Sequence, residues 1–363
     1  MDVAVSQRVY ERVKGTSLST GLMSRWIFIS FHERSDKMSK PLLLWLIFFL
    51  TLSLSPLAQA ASPNRIVITP SGLSEREGVL AVAKDQGLFR KYDIQPEIVH
   101  VRSGAVAISA LAAGESHFYY GSASGATLGA VANGVDIVLV AGLINKLTGV
   151  FMVSPEIKSP ADLKGKRIGV TSIGGGNWMF AVFALDHWGL DPKRDGMSIR
   201  VIGDNAVLTQ SLISGAIDGC VVSYTFASQL RRQGFLSLAD LATLGIPYQG
   251  NGIWARRGFV SQSSDIVEKV LKGLVEAIAF IQEPGNKPLV MRSLAKWLHL
   301  PRVEDASEGY ELMKNFFDRR IYPNVDGIRN TIRVLGSTNE KIRRLRAEDM
   351  VDDKIVKRLE KGA

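Results

Sequence analysis

The residues best equipped for chemistry lie in one stretch, RIGVTSIGGGNWMF (167–180). There Ser172, Gly174, Gly175, Gly176, Asn177 and Trp178 follow a β-branched run and lead into an aromatic, helix-like segment. Glycines at such a turn let backbone N–H groups approach a ligand closely, and the helix start behind them adds unpaired donors and partial positive charge. That chemistry suits an anion. A mononucleotide loop needs Lys and then Ser/Thr after its last glycine, but Gly169 and Gly174, at the right spacing, are followed by Gly175 and Gly176. The dinucleotide fingerprint would place a third glycine at 179, where this chain has Met179. Both nucleotide cradles are excluded, and a tight strand-to-helix turn without a ligand stays open as the alternative.

The elements that must position this turn recur. RIVITPSG begins at Arg65 and RIGVTSIG at Arg167, and the helices behind them end at Gly87 and Gly189, in both cases 102 residues apart. LAAGESHFYYGS from Leu111 and LISGAIDGCVVS from Leu212 then match at an offset of 101, pairing Gly114 with Gly215 and Ser122 with Ser223. Strands alternate with helical patterns throughout, the mark of α/β layers. In the first copy Ser74 and Glu77 form a capping box before a helix that stops at Gly87, and a strand is expected near Ile98 to Val101. Crossover helices imply parallel pairing, with ligands taken at the carboxyl ends of the strands. Helical segments follow at about 265–281, 287–298, 306–317 and 325–335, and have no counterpart in the second copy. The simplest arrangement inserts one lobe into the other, with crossings near Ser154 to Ser159 and Leu244 to Asn251.

Composition bounds the class. Lys40 precedes an apolar run, Leu42 to Leu54, and the small-residue pattern Ala58-Gln59-Ala60; this reads as a signal peptide cleaved before Ala61, with Met38 as the true start. The run is shorter than the roughly 20 residues that span a bilayer. The leader holds seven Lys/Arg and four Asp/Glu of the chain's 44 and 35, which leaves a mild balance of +6. Arg343, Arg344 and Arg346 form a solvated helix face and not a nucleic-acid patch. The single cysteine, Cys220 in AIDGCVV, fits a buried apolar role and excludes an intrachain disulfide. A soluble, monomeric periplasmic protein of more than one lobe is expected.

KSPADLKGKRIGV (158–170), AVAKDQGLFRKYDI (81–94), LAAGE before a strand, and YPNVDGIRNTI with DMVDDKIVKRL toward the end carry a resemblance. They are similar to the nitrate/sulfonate/taurine-type solute-binding proteins of ABC importers, a group related to the thiamine-pyrimidine binding proteins, over nearly all of residues 64–360. The resemblance implies an α/β, two-lobed periplasmic binding protein of type II topology, its lobes joined by two crossings: a leader over 1–60, a first lobe over 61–154 and 249–363, and a second over 155–248. It implies capture of a small solute, transient docking on a membrane permease, and no catalysis, cofactor or metal. Carried over by position, the ligand-binding set is Ser71 and Gly72 in the first loop, Ser122 after HFYYGS, and Thr148 near the hinge. In the second lobe it is Ser172, Gly174, Gly175, Gly176, Asn177 and Trp178 in the quoted turn, with Ser223 and Tyr224 after GCVV. A small organic anion is expected, a sulfonate ahead of a carboxylate, and nitrate or a thiamine-type pyrimidine behind them. Glu75 and Arg76, just behind the first loop, shift the charge preference in opposite directions.

Two other classes share this fold. A thiamine-pyrimidine synthase branch carries a cysteine-rich CCCFC element, which one cysteine cannot supply, and no histidine pair stands at metal-ligand spacing. No nucleophile elbow is present in the sequence either. A ligand-sensing subunit is the remaining alternative, and would act through a separate partner.

Overall fold

The computed structural model describes residues 64–70, 72–101 and 103–361. The leader, its cleavage site and Ser71 lie outside these. Two five-stranded sheets organise the rest, with strand orders β2-β1-β3-β10-β4 and β7-β6-β8-β5-β9. In the first sheet these are β1 (Asn64–Pro70), β2 (Ile94–Ile98), β3 (Phe118–Gly121), β4 (Ile137–Gly142) and β10 (Gly252–Arg256). In the second they are β5 (Val150–Val153), β6 (Arg167–Val170), β7 (Ser198–Val201), β8 (Gly219–Val222) and β9 (Leu236–Asp240). The orders are the same pattern written twice. Each sheet borrows the strand that follows a crossing from the other lobe, β10 in the first and β5 in the second. Both pair antiparallel with their neighbours, and both shift register against the fourth strand, between Ile253 and Trp254 and between Phe151 and Met152.

Crossover helices α1 (Gly78–Asp85) and α2 (Gly104–Ala113) serve the first sheet, and α3 (Gly125–Ala132) leads to β4. Helices α4 (Gly176–His187), α5 (Asn205–Ile213) and α6 (Tyr224–Arg232) take the equivalent places in the second. The repeat extends to backbone geometry, because Gly114 and Gly215 both end a helix at positive φ, +82° and +71°. Strands FYYG, VFMV and GCVV are buried along their whole length, as strands covered on both faces must be.

Three expectations need correction. The strand after α1 is Ile94–Ile98, earlier than 98–101, because it begins directly after Asp93, which turns the chain at φ +56°. The sheets are mixed and not wholly parallel, since each inserted strand arrives from the other lobe without a crossover helix. The first crossing runs between Gly142 and Val150, ahead of 154–159, because the turn signal Ser154-Pro155 follows β5 and does not precede it. The return to the first sheet lies between Asp240 and Gly252.

Past β10 come α7 (Arg257–Gln262), α8 (Ser264–Gln282), α9 (Lys287–Trp297), α10 (Ser307–Phe316) and α11 (Val325–Gly336). Helices α8 to α10 bury Val270, Leu274, Leu294, Tyr310 and Met313 against α1, which completes the first lobe's core. A second apolar cluster runs through both lobes. Tyr248, on the return crossing, meets Phe180 and Phe183 of α4 edge-on at 5.7 and 5.3 Å. Such aromatic pairs add about 0.5–1.5 kcal/mol beyond their burial.

Candidate functional site

The carboxyl ends of the parallel strands face a cavity of about 280 Å³. Gly72, Leu73 and Arg76 reach it from the end of β1, His100, Val101, Ser103 and Gly104 from beyond β2, and Ser122 from β3. From the second lobe come Thr171, Ser172, Gly175, Gly176 and Asn177 after β6, and Gly203, Asp204, Asn205 and Val207 after β7. Arg76, Asn177 and Asn205 also line a deeper hollow of about 10 Å³, with Glu75, Thr148, Phe180, Ser223, Tyr224 and Phe316. That is room for about one water.

The turn at Glu75–Glu77 aims three consecutive side chains in three directions. Ser74 caps it, accepting from the Arg76 N–H at 3.3 Å and donating its hydroxyl to Glu77 Oε2 at 2.6 Å. Glu77 is buried and its other oxygen accepts from Asn251 Nδ2 at 2.9 Å, on the return crossing. Glu75, 1% exposed, accepts the N–H of Thr225 at 2.8 Å and so caps α6 from the other lobe. Arg76 lies between the two lobes. Its Nε donates to Ser74 Oγ at 3.1 Å and its guanidinium carbon sits 4.7 Å from the Phe180 ring centroid. Among the described residues no carboxylate stands within salt-bridge distance of it.

Asn177 holds the quoted turn in place: Oδ1 accepts from Thr171 N at 3.2 Å and Nδ2 donates to the Val221 carbonyl at 2.6 Å, which ties α4 to β8. Asn205 does the same for α5, accepting from Ser223 N at 3.2 Å and donating to the Leu73 carbonyl of the other lobe at 3.3 Å. Thr148 and Ser223 are buried, and neither hydroxyl has a partner among the described residues. A buried hydroxyl left unpaired costs about 1–3 kcal/mol, and the hollow that both line has room for about one water to bond them.

The structure thus gathers Gly72, Ser122, Ser172, Gly175, Gly176 and Asn177 around the larger cavity, and Thr148, Asn177, Ser223 and Tyr224 around the deeper one. Tyr224 donates its hydroxyl to Asp240 Oδ1 at 2.7 Å, and burial together with that carboxylate raises its pKa above the ordinary phenol range. Two expected residues stand apart. Trp178 lines neither cavity; it packs in the shared apolar cluster beside Gly125, because the first helical turn points it at α3. Gly174, at φ +78°, also faces α3, and its carbonyl accepts the Ala126 N–H at 2.8 Å. The glycine turn is a contact between lobes as well as a cavity wall.

Sequence reading passed over Arg76 as a cavity residue, and Asn205 and Tyr248 altogether. A signal existed for Asn205, which follows the cap Asp204 as Gly104 follows Ser103 in the first copy. Among the described residues no group of three His, Cys, Asp or Glu side chains is placed to hold a metal.

Two lobes of matching mixed sheets around a cleft define the periplasmic-binding-protein fold. The chain belongs to the NMT1/THI5-like family, whose model matches residues 78–286. A protein of Bordetella bronchiseptica RB50 superposes at a TM-score of 0.72, 21% identical, over 82% of this chain and 97% of its own. The alkanesulfonate-binding protein SsuA of Xanthomonas axonopodis pv. citri, bound to MOPS, follows at 0.65 and 20% identity, over 81% and 100%. The periplasmic nitrate-binding protein NrtA of Synechocystis PCC 6803 stands at 0.66 and 16%, over 82% and 88%. The fold also serves catalysis, since the desulfurization enzyme DSZB superposes at 0.56 and 16% identity, over 82% and 100%. Comparison with curated proteins finds no match.

Proposed function

We infer that this chain is the solute-binding subunit of an ABC importer, exported to the periplasm, which captures a small organic anion and returns it unchanged to a permease. Arg76 carries the reading: a guanidinium in the cleft, free of any carboxylate partner among the described residues, beside the donors of the glycine turn and Ser122. A partly buried cation of this kind favours a sulfonate or carboxylate head group, which guanidinium recognises through paired hydrogen bonds. Sulfonate is placed ahead of carboxylate, and nitrate after both.

The pyrimidine reading keeps one observation in its favour, the buried carboxylate of Glu75 lining the deeper hollow. That carboxylate already caps α6, which weakens it as a ligand group. A thermal-shift screen of sulfonates, carboxylates, nitrate and pyrimidines separates the two, since a ligand at about 100 times its dissociation constant stabilises the native state by about 2.7 kcal/mol. Stabilisation by a cationic pyrimidine alone would overturn the anion reading. Recovery of a chemically altered ligand after denaturation would overturn the binding role itself.

A further inference from the structure

A separate cavity of about 520 Å³ shares no lining residue with the cleft. Ala112 reaches it from the end of α2, Val135 and Asp136 from the approach to β4, and Arg256, Phe259 and Gln262 from the junction of β10 and α7. Strand β10 runs antiparallel to β3, pairing Trp254 with Tyr119, and its Arg256 pairs with Ile137 at the start of β4. The cavity therefore lies at the amino ends of strands whose carboxyl ends face the cleft.

Arg256 brings a charge that nothing balances. Its guanidinium lies against the residue that ends α2, where a Cβ on Gly114 would stand 3.0 Å from Nη1 and 3.3 Å from Cζ and Nη2. A helix C-terminus attracts a cation and so holds this one in place. Yet Nε is buried without a partner, and among the described residues no carboxylate stands within salt-bridge distance of the guanidinium. Asp136 is engaged elsewhere, accepting from Arg257 Nε at 3.0 Å. A buried donor without an acceptor calls for a group to receive it. Beside the guanidinium the wall is apolar, formed by Ala112, Val135 and Phe259, whose ring meets His117 and Phe118 edge-on at 5.4 and 5.6 Å. The volume falls within the roughly 300–1,000 Å³ of small-molecule sites. We propose that this cavity binds a small organic carboxylate, its oxygens on the Arg256 guanidinium and the Gln262 amide and its body against Phe259 and Val135. A planar guanidinium matches a carboxylate in shape and charge, and the apolar wall selects an organic body over a bare ion. This site is independent of what the cleft takes.

His117 supplies the readout, because it packs against Phe259 and the Arg256 charge, after burial, lowers its pKa. A carboxylate on Arg256 cancels that second cause, so the His117 pKa should rise on binding. The test is NMR titration of the histidine-labelled full chain with sodium benzoate, against acetate, inorganic phosphate and chloride at equal ionic strength. Benzoate is expected to raise the His117 pKa saturably and at lower concentration than acetate or phosphate. It should do so equally in Arg76→Met, which removes the cation of the cleft. Arg256→Gln should weaken benzoate about tenfold to a hundredfold, the worth of hydrogen bonds to a charged group. Ala112→Trp, on an exposed face of α2, fills the cavity and should weaken it as well, which keeps the site testable if the Arg256 variant does not fold. No rise, a rise that chloride matches, or one that survives the cavity variants overturns the proposal. A rise lost in Arg76→Met places the carboxylate in the cleft and overturns it too, and acetate or phosphate binding as tightly as benzoate overturns the organic class.

Discussion

The Thr225 N–H of one lobe donates to the Glu75 carboxylate of the other at 2.8 Å. An acidic side chain at a helix N-terminus is worth about 0.3–1 kcal/mol when exposed and up to about 2 when partly buried, and this one is 1% exposed. The contact exists only while the lobes are together, so it acts on closure more than on folding. Glu75→Ala is expected to cost about 1 kcal/mol of closed state, the usual loss of a cap. Spin labels at Ser109→Cys and Gln210→Cys, on exposed faces of α2 and α5, report it, because native Cys220 is buried and stays unlabelled. A longer mean distance in the variant is the expected result. An unchanged distribution would make the contact incidental.

Arg76→Met keeps a long apolar side chain against Phe180 and removes the charge. Hydrogen bonds to a charged group contribute about 1.5–3 kcal/mol, so anion affinity should fall about tenfold to a hundredfold. The unliganded melting temperature should move little, since the stacking on Phe180 accounts for only about 0.5–1 kcal/mol. Calorimetry with and without ligand separates the two effects. Retained affinity would move the anion away from Arg76.

The fold was largely legible because the duplication writes each lobe twice. Gly114 and Gly215, or Ser122 and Ser223, mark matching strand and helix ends whose geometry the structure repeats. What escaped depends on contacts between copies, which no local pattern records. β5 follows a loop marked by Asn145 and Gly149, the latter at φ +109°, but the stronger signal Ser154-Pro155 lies after it, so its transfer to the second sheet was hidden. Arg76 looks like a surface residue between two glutamates until both glutamates prove to be engaged elsewhere. Trp178 and Gly174 belonged to the right turn but face α3, and helical phase alone could not reveal which neighbour packs there.

His117 gives the structure a pH signature. Its Nδ1 accepts the Val67 N–H at 3.0 Å, between β1 and β3, and burial, then the nearby Arg256 charge, lowers its pKa from the usual 6.5. Protonation would set a donor against a donor. Because the unfolded chain takes up the proton first, this contribution is complete above about pH 6.5 and is lost as pH falls from there through the lowered folded value. Urea midpoints should therefore decline between about pH 7.5 and 5.5. His117→Asn, which keeps an acceptor that does not titrate, should flatten that decline; an equal decline in the variant would place the titration elsewhere.

The glycine turn can be tested as a lobe contact apart from its role as a cavity wall. Gly174 needs its positive φ, so Gly174→Ala pays about 1–2 kcal/mol for the left-handed conformation and also sets a Cβ 3.3 Å from Ala126 N across the lobe boundary. Gly125 has no such backbone demand, yet a Cβ there would lie 3.2 Å from both Gly174 Cα and a Trp178 ring carbon. Gly125→Ala therefore disturbs the meeting of the lobes alone. It is expected to lengthen the distance between labels and weaken ligand binding while leaving the unliganded unfolding midpoint nearly unchanged, whereas Gly174→Ala lowers both. Gly175→Val makes the third comparison, because its Cβ would fall 2.6 Å from Ser172 Oγ within its own turn and so deforms the cavity wall directly. Binding lost in the Gly175 variant but kept in the Gly125 variant, with no change in distance, would reduce the Ala126–Gly174 bond to a by-product of packing and leave closure to the Glu75–Thr225 and Asn205–Leu73 contacts.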